Sequence, residues 1–180
     1  MGAGTCPYRK YLSHCQYIAQ DFKQLNNFPY GEIDLVCDIY HLPLKNDYAD
    51  VVLLSEVLEH VEYPGKVIQE AFRILKPGGV FILTAPLGSG QHQKPHHYYG
   101  GFTRFYYEKI LPNHGFEIKY LEPNGGLFGH LAELLWRGHF YIEALSRKST
   151  YKRAVAIFLQ IFLFNIPTVF LWEIEKRVLV

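Results

Sequence analysis

The chain has 180 residues, of which 49% are hydrophobic and 16% aromatic, and a formal net charge of +1. This length and composition fit one globular domain with a substantial core, and the balanced charge argues against a nucleic-acid partner. The three cysteines, Cys6, Cys15 and Cys37, form no C-x-x-C pair, so we expect reduced thiols in a cytoplasmic protein. The first residues lack the basic and apolar regions of a signal peptide.

A glycine-bearing turn, Gly2-Ala3-Gly4, precedes a short predicted helix at 9–14. Glycines permit positive φ and let a ligand approach the backbone closely, although G-x-G alone is weak evidence for a site. Two short strands are predicted next, at 16–20 and 33–37. Each is followed by an aspartate at its carboxyl end, the edge at which open α/β sheets bind ligands.

The clearest signal is a strand–helix–strand unit in the middle of the chain. The continuous apolar run at 51–54 predicts a strand buried on both faces of a parallel sheet. Helical spacing over 56–75 follows, and Pro64-Gly65 should split it into a short turn and a longer helix. Pro77-Gly78-Gly79 should end that helix before a second strand at 80–84. Such a unit predicts a parallel sheet with a right-handed crossover.

A long loop rich in glycine, histidine and aromatic residues occupies 87–101. Long loops at the carboxyl end of a central strand are commonly functional. The sequence then predicts a helix at 102–111 with Thr103 as N-cap, a partly exposed strand at 116–121 and a helix over 127–144.

The segment at 154–172 is nearly continuous in apolar residues and approaches the ~20 residues that a membrane-spanning helix needs. A buried helix pair, an interfacial helix and a membrane span all fit it. We therefore predict a domain at 1–147 and a C-terminal apolar helical extension at 148–180. The extension is a candidate contact with a membrane surface or with a partner helix.

Several motifs together resemble the class I S-adenosylmethionine-dependent methyltransferases of the type 11 group. They are Gly2-Ala-Gly-Thr-Cys-Pro-Tyr8, Asp38-Ile-Tyr-His-Leu-Pro-Leu44, Ala49-Asp-Val-Val52, Ser55-Glu-Val-Leu-Glu-His-Val61, Leu75-Lys-Pro-Gly-Gly79 and His114-Gly-Phe-Glu-Ile118. Their order and spacing over residues 2–126 carry the resemblance. It implies a Rossmann-like α/β fold, with a mostly parallel twisted sheet and helices on both faces, and S-adenosyl-L-methionine as cofactor.

The resemblance also implies eight cofactor-binding residues: Gly2, Ala3, Gly4, Asp21, Asp38, Ile39, Ser55 and Glu56. The glycine loop would pass under the methionine part of the cofactor, and the first aspartate would hold the ribose hydroxyls. The Asp–Ile pair would flank the adenine, and the Ser–Glu pair would lie beside the transferable methyl group. Taken alone, each aspartate is better explained as a solvated turn residue.

The chain departs from the family pattern at its start. In the family the glycine loop follows a strand in the middle of the sheet, whereas here Met1 directly precedes Gly2. An N-terminally truncated sheet would leave backbone groups unpaired in the core. Three explanations stay open: a fragment or start-site error, another segment in the gap, or a degenerate relative that binds cofactor poorly.

Methyl transfer needs alignment of the reactants, and it needs a base only if the acceptor is a hydroxyl or a protonated amine. The candidate catalytic residues are His96, His97 and Tyr99, and the candidate substrate-binding residues are His92 and Arg104. We predict no metal site, because the loop histidines lack a spacing with preformed geometry. The expected acceptor is a small molecule, a sugar or a lipid-like compound.

Two other functions compete with methyl transfer. A methyltransferase-like domain with an incomplete cofactor site would be a non-catalytic interaction protein or a membrane-associated protein. A nicotinamide dehydrogenase would share the glycine loop and the strand-end acid, but the third glycine of G-x-G-x-x-G is absent.

Overall fold

The computed structural model describes residues 1–123, 126, 128–132, 167 and 169. Met1–Lys119 form one compact unit and Tyr120–Val180 a second. In the second unit, residues 128–132 are helical, within the helix predicted over 127–144. The remainder of that helix, the predicted boundary at 147/148 and nearly all of the apolar segment at 154–172 lie outside the described residues. Within the described part of the chain, no helix is long and apolar enough to cross a membrane.

The first unit combines parallel strands with helices, and a helix joins its two longest strands, as in an α/β protein. In chain order the elements are a 3-10 helix (Arg9–Tyr11), β1 (Gln20–Asp21), β2 (Leu35–Val36), β3 (Ala49–Ser55), a 3-10 helix (Leu58–His60), α1 (Pro64–Ile74), β4 (Leu75–Thr84) and α2 (Arg104–Asn113). The predicted split of the long helical segment is confirmed, since Pro64 starts α1 as its first residue. Thr103 precedes α2 as predicted, but its side chain makes no capping hydrogen bond.

The strand predicted at 116–121 is wrong, because the described residues there form no strand. The backbone N–H of Phe116 instead donates to the carbonyl of Leu111, over 3.1 Å. Its ring packs against the rings of Phe72 and Phe81, with centroids 5.2 and 5.0 Å away. Packing against α1 and β4 therefore holds this segment without strand pairing.

Both strand pairs are parallel. Strand β1 pairs with β2, matching Gln20 to Leu35, and β3 pairs with β4 from Val51–Val80 to Ser55–Thr84. The register between β3 and β4 is irregular at its start, so that residues 76–79 bulge out of the pair. The predicted Pro-Gly-Gly turn therefore lies inside β4.

The first three residues lie between the two strand pairs. The ammonium group of Met1 donates to the carbonyl of Leu53 in β3, over 2.9 Å. The N–H of Ala3 donates to the carbonyl of Gln20 in β1, over 2.8 Å. Burial lowers the pKa of the Met1 ammonium to about 6. Among the described residues no further strand joins either pair, and these two hydrogen bonds link residues 1–3 to both pairs.

The core lies between α1 and one face of β3 and β4. Buried side chains of α1, among them Ala71 and Ile74, pack in one cluster with Val52 and Leu75. Each large apolar side chain buried in this way contributes about 1.5–3 kcal/mol. The prediction that β3 is buried on both faces is wrong: Val51 on β3 is 53% exposed. Alternate residues of β4 are similarly exposed, so one face of the pair meets solvent.

A buried carboxylate in α1 fixes the segment before β3. Glu70 is 5% exposed, and it accepts hydrogen bonds from the Leu42 N–H and from Arg73, both over 2.6 Å. Burial opposes ionisation of Glu70, but the bonds from Arg73 and Leu42 outweigh it and lower the pKa of the carboxyl. Arg73 also donates to the carbonyl of Leu44, over 2.8 Å. The chain that follows β2 is thereby held against the helix.

Candidate functional site

A cleft of about 530 Å³ opens at the carboxyl ends of β1, β2 and β3. Its volume lies in the range of small-molecule and cofactor sites. All eight residues of the implied cofactor set line it: Gly2, Ala3, Gly4, Asp21, Asp38, Ile39, Ser55 and Glu56. The fold thus brings four separate segments of the chain to one cleft.

The glycine loop has a backbone conformation that residues with a side chain would adopt only with strain. Gly2 and Gly4 have φ values of 63° and 51°, in the left-handed region. A Cβ on Gly2 would lie only 2.5 Å from a methyl group of Val57. The N–H of Gly4 donates to the Asp21 carboxylate over 2.9 Å. These contacts hold the loop close to the end of β1.

Gln20 is a site residue that the sequence interpretation missed. Its side chain is 2% exposed. The side-chain oxygen accepts from the N–H of Gly2 over 3.1 Å, and the amide nitrogen donates to the carbonyl of Cys37 over 2.8 Å. One amide therefore joins the glycine loop to the segment that carries Asp38. In the sequence, Gln20 could have been recognised as a polar side chain within a predicted strand, directly before Asp21.

The two aspartates accept backbone hydrogen bonds within their own turns. Asp21 accepts from the N–H of Lys23 over 2.8 Å, and Asp38 accepts from the N–H of Tyr40 over 2.9 Å. A carboxylate offers about four lone-pair sites, so both retain capacity for donors in the cleft. Ile39, 8% exposed, adds apolar surface beside Asp38.

A chain of side-chain hydrogen bonds ends on Glu56. The Thr84 hydroxyl donates to the Glu56 carboxylate over 2.9 Å. Since each hydroxyl has one hydrogen, the Ser55 hydroxyl must donate to Thr84 over 2.9 Å. Tyr8 then donates to Ser55 over 3.2 Å. Glu56 also has a φ of 55°, a strained conformation that is concentrated at functional sites. Tyr8 and Thr84 were not predicted, because only the fold brings them to the strand end.

Of the three candidate catalytic residues, only His96 lines the cleft. Its carbonyl accepts from Nδ1 of His60 over 2.6 Å, which ties the long loop to the 3-10 helix. The ring of His97 lies beside that of His92, with centroids 4.5 Å apart. The Tyr99 hydroxyl donates to the carbonyl of Glu62 over 2.8 Å. His97 and Tyr99 therefore hold positions next to the cleft.

The two candidate substrate-binding residues also lie apart from the cleft lining. Arg104 is on an exposed face of α2 and forms an ion pair with Glu108 over 2.7 Å. His92 packs against His60, with ring centroids 4.7 Å apart. Burial lowers the pKa of His60, and the neighbouring histidines lower it further, against the hydrogen bond to His96. His60 is therefore a neutral side chain at neutral pH.

The parallel strand pairs, the crossover helix and the strand-end cleft define a Rossmann-like α/β domain. Residues 1–83, just under half of the chain, match the family model described as a methyltransferase domain. The predicted resemblance is thereby confirmed. The structure is similar to a crystal structure described as a methyltransferase from Bacillus halodurans C-125. The TM-score is 0.53 at 16% identity, covering 84% of this chain and 78% of the other, which shows the fold alone.

Curated relatives align with part of the chain. A protein described as an S-adenosylmethionine-dependent methyltransferase from Mycolicibacterium smegmatis is 39% identical over 49 residues, which is 27% of this chain and 19% of the relative. An uncharacterized methyltransferase from Mycobacterium bovis is 40% identical over 65 residues, covering 33% of this chain and 25% of the relative. An uncharacterized 37.1 kDa protein in a Streptomyces fradiae transposon is 34% identical over 71 residues, 39% of this chain and 20% of its own length. The chain thus spans a quarter or less of these relatives.

Proposed function

We propose that this chain binds S-adenosyl-L-methionine in the cleft and transfers its methyl group to a small-molecule, sugar or lipid-like acceptor. One observation carries the proposal: the eight residues that the family pattern assigns to the cofactor line a single cleft. They come from four segments that are distant in the sequence, so chance placement at one site is a poor explanation.

The residues present fit this cofactor. The loop of Gly2 and Gly4 offers backbone that a ligand can approach closely, because neither residue carries a side chain. Asp21 offers acceptors for ribose hydroxyls, and Asp38 offers one for the adenine amino group. Ile39 provides an apolar surface on which the ring can pack. When bound, the cofactor would supply a sulfonium methyl group: the acceptor atom bonds to the methyl carbon in line as the carbon–sulfur bond breaks, and S-adenosylhomocysteine leaves with the electron pair.

We assign Glu56 as an acceptor of hydrogen bonds from the amino group of the cofactor. The Thr84 hydroxyl already orients one of its oxygens, over 2.9 Å. The other oxygen belongs to a residue that lines the cleft and has a strained backbone, and it is the acceptor that we assign to the ligand. This side chain would fix the methionine part, and alignment of this kind is the main contribution of a protein to an in-line displacement.

His96 is the base that the geometry favours. It lines the cleft, whereas His97 and Tyr99 do not. If the acceptor is a hydroxyl, its proton passes to His96 as the oxygen–carbon bond forms. A neutral imidazole suits this step because one of its ring nitrogens can accept a proton.

The acceptor and the location of the protein are part of the proposal. The apolar segment at 154–172 supports an amphiphilic acceptor, or contact with a membrane surface or a partner helix. We place the protein in the cytoplasm with membrane association through this segment. Co-sedimentation with vesicles, comparing the full chain with one shortened after residue 147, tests this part separately.

Titration calorimetry with S-adenosylhomocysteine, the demethylated product, tests the cofactor site. The full chain should bind one equivalent. Asp38→Asn keeps an oxygen for the Tyr40 N–H but loses the charge, so the affinity should fall roughly tenfold or more. Asp47→Asn, an exposed residue away from the cleft, is the matched control and should bind like the original chain. Absence of binding by a folded chain would favour the non-catalytic interaction protein instead.

A further inference from the structure

We propose that Glu59, His60 and His92 form a binding site for a divalent transition-metal ion of the Zn²⁺ type, beside the cleft. One ligand atom from each of the three side chains lies within 4.8 Å of the other two. Two ligands come from the 3-10 helix (Leu58–His60) and the third from the long loop at 87–101. The sequence predicted no metal site, because the loop histidines alone lack a spacing with preformed geometry.

The hydrogen bonds of both histidines leave the correct nitrogen for a metal. Nδ1 of His60 lies 2.6 Å from the carbonyl of His96, and Nδ1 of His92 lies 2.9 Å from the carbonyl of Gly90. A carbonyl can only accept, so each Nδ1 carries the hydrogen and each Nε2 has a free lone pair. Backbone carbonyls fix metal-binding histidines in this tautomer in many proteins.

The carboxylate of Glu59 lies close to the same two histidines. Nε2 of His60 lies 3.7 Å from a carboxylate oxygen of Glu59. The side chains of Glu59 and His60 are only 2% and 9% exposed. Attraction between a carboxylate and a divalent cation is stronger where water is excluded. The site therefore combines a desolvated anion with two preset imidazole donors.

The donor set selects the class of metal. Two imidazole nitrogens and one carboxylate oxygen suit Zn²⁺ or Co²⁺, whereas Mg²⁺ and Ca²⁺ prefer oxygen ligands. Ligands about 2.0 Å from a tetrahedral Zn²⁺ lie roughly 3.3 Å apart, so atoms that now lie within 4.8 Å of one another must close by up to about 1.5 Å. His92 is on a loop and can make that movement. Water would take the fourth position.

Metal binding would fasten the loop at the edge of the cleft. The N–H groups of Tyr98 and Tyr99 already donate to the carbonyl of Glu59, over 2.8 and 3.2 Å. A metal bound by Glu59 and His92 would attach the loop to the 3-10 helix a second time, on the N-terminal side of His96. The base assigned under the proposed function would then be held in place, but the site itself depends only on the three ligands.

Titration of the full chain with Zn²⁺ by calorimetry tests the site. We expect one equivalent to bind, and we expect His92→Gln to weaken it at least roughly tenfold, since even the loss of an outer hydrogen-bond partner costs that much. His14→Gln removes an exposed histidine outside the cluster and is the matched control. Equal affinity of His92→Gln and the original chain would overturn the proposal, as would absence of stoichiometric binding.

Co²⁺ provides a second readout, because its visible absorption reports the geometry of the bound ion. The bound ion should show the visible absorption of a tetrahedral site, and Zn²⁺ but not Mg²⁺ should remove it. His92 lies on a partly exposed loop, so His92→Gln should keep the circular dichroism spectrum of the original chain. Glu59→Gln should also abolish the tetrahedral absorption. An octahedral spectrum, or displacement by Mg²⁺, would contradict the assigned ligands.

Discussion

The carboxylate of Asp21 accepts a hydrogen bond from the backbone N–H of Gly4, over 2.9 Å. Its other oxygen accepts from the N–H of Lys23, over 2.8 Å. One side chain at the end of β1 therefore holds the glycine loop on one side and its own turn on the other. The residue implied to bind the ribose also supports the loop under the rest of the ligand.

Replacement of Asp21 should therefore affect stability as well as cofactor binding. Asp21→Ala loses both hydrogen bonds, each made to a charged acceptor, and should lower the free energy of unfolding by about 1.5–3 kcal/mol. Asp21→Asn keeps one oxygen acceptor and should cost less. Urea denaturation measures both values. Equal stability of the alanine variant and the original chain would show that these bonds do not support the loop.

Gly2→Ala should destabilise the protein even without a ligand. The left-handed backbone costs a residue with Cβ about 1–2 kcal/mol, and the new methyl group would collide with Val57, 2.5 Å away. Gly90→Ala is the control, because nothing lies within 4 Å of a Cβ at that position. Thermal unfolding should separate the two variants clearly. A Gly2→Ala protein as stable as Gly90→Ala would contradict the described loop.

Glu70→Gln should remove a pH-dependent part of the stability. The pKa of Glu70 in the folded protein is below its ordinary value of 4.5, so its contribution is complete above that pH. The contribution is lost as the pH falls through the folded-state pKa. At neutral pH the variant should be less stable by about 2 kcal/mol. The difference should narrow as the pH is lowered below about 4.5.

Urea denaturation across this pH range provides the comparison. Glu117→Gln is a suitable control, because Glu117 is exposed and forms an ion pair with the exposed Lys119 over 2.6 Å. The free energy of unfolding of this control should differ little from that of the original chain at every pH. If the free energies of unfolding of Glu70→Gln and the original chain differed by the same amount at every pH, the lowered pKa of Glu70 would be contradicted.

Thr84→Val should weaken cofactor binding while leaving the strand intact. It replaces the hydroxyl that orients Glu56 with a methyl group of similar shape, and one hydrogen bond is worth about 0.5–1.5 kcal/mol, or up to roughly tenfold in affinity. Thr103→Val makes the same change at a residue whose side chain caps nothing. Calorimetry with S-adenosylhomocysteine should distinguish the two. Equal affinities would exclude Thr84 from the site.

Local patterns predicted the parts of the fold that depend on neighbouring residues. The apolar runs located β3 and β4, and Pro64 correctly located the start of α1. The aspartates were found because each follows a strand end. The strand at 116–121 was predicted wrongly, since aromatic packing by Phe116 replaced strand pairing.

The remaining site features depend on contacts between distant segments. Thr84 reaches Glu56 only because β3 and β4 pair in parallel with Ser55 opposite Thr84. His92 meets Glu59 only because the long loop folds back over the 3-10 helix. No spacing in the sequence encodes these contacts, so only a structure could reveal them.

Hydrogen–deuterium exchange of the full chain, with and without S-adenosylhomocysteine, tests the cofactor site most directly. Because the ligand should rest on the glycine loop and the strand ends, exchange should slow in the peptides that contain residues 2–8, 38–40 and 55–57. Exchange in α2, away from the cleft lining, should be unchanged. Unchanged exchange at these three segments, or protection confined to other parts of the chain, would contradict the account.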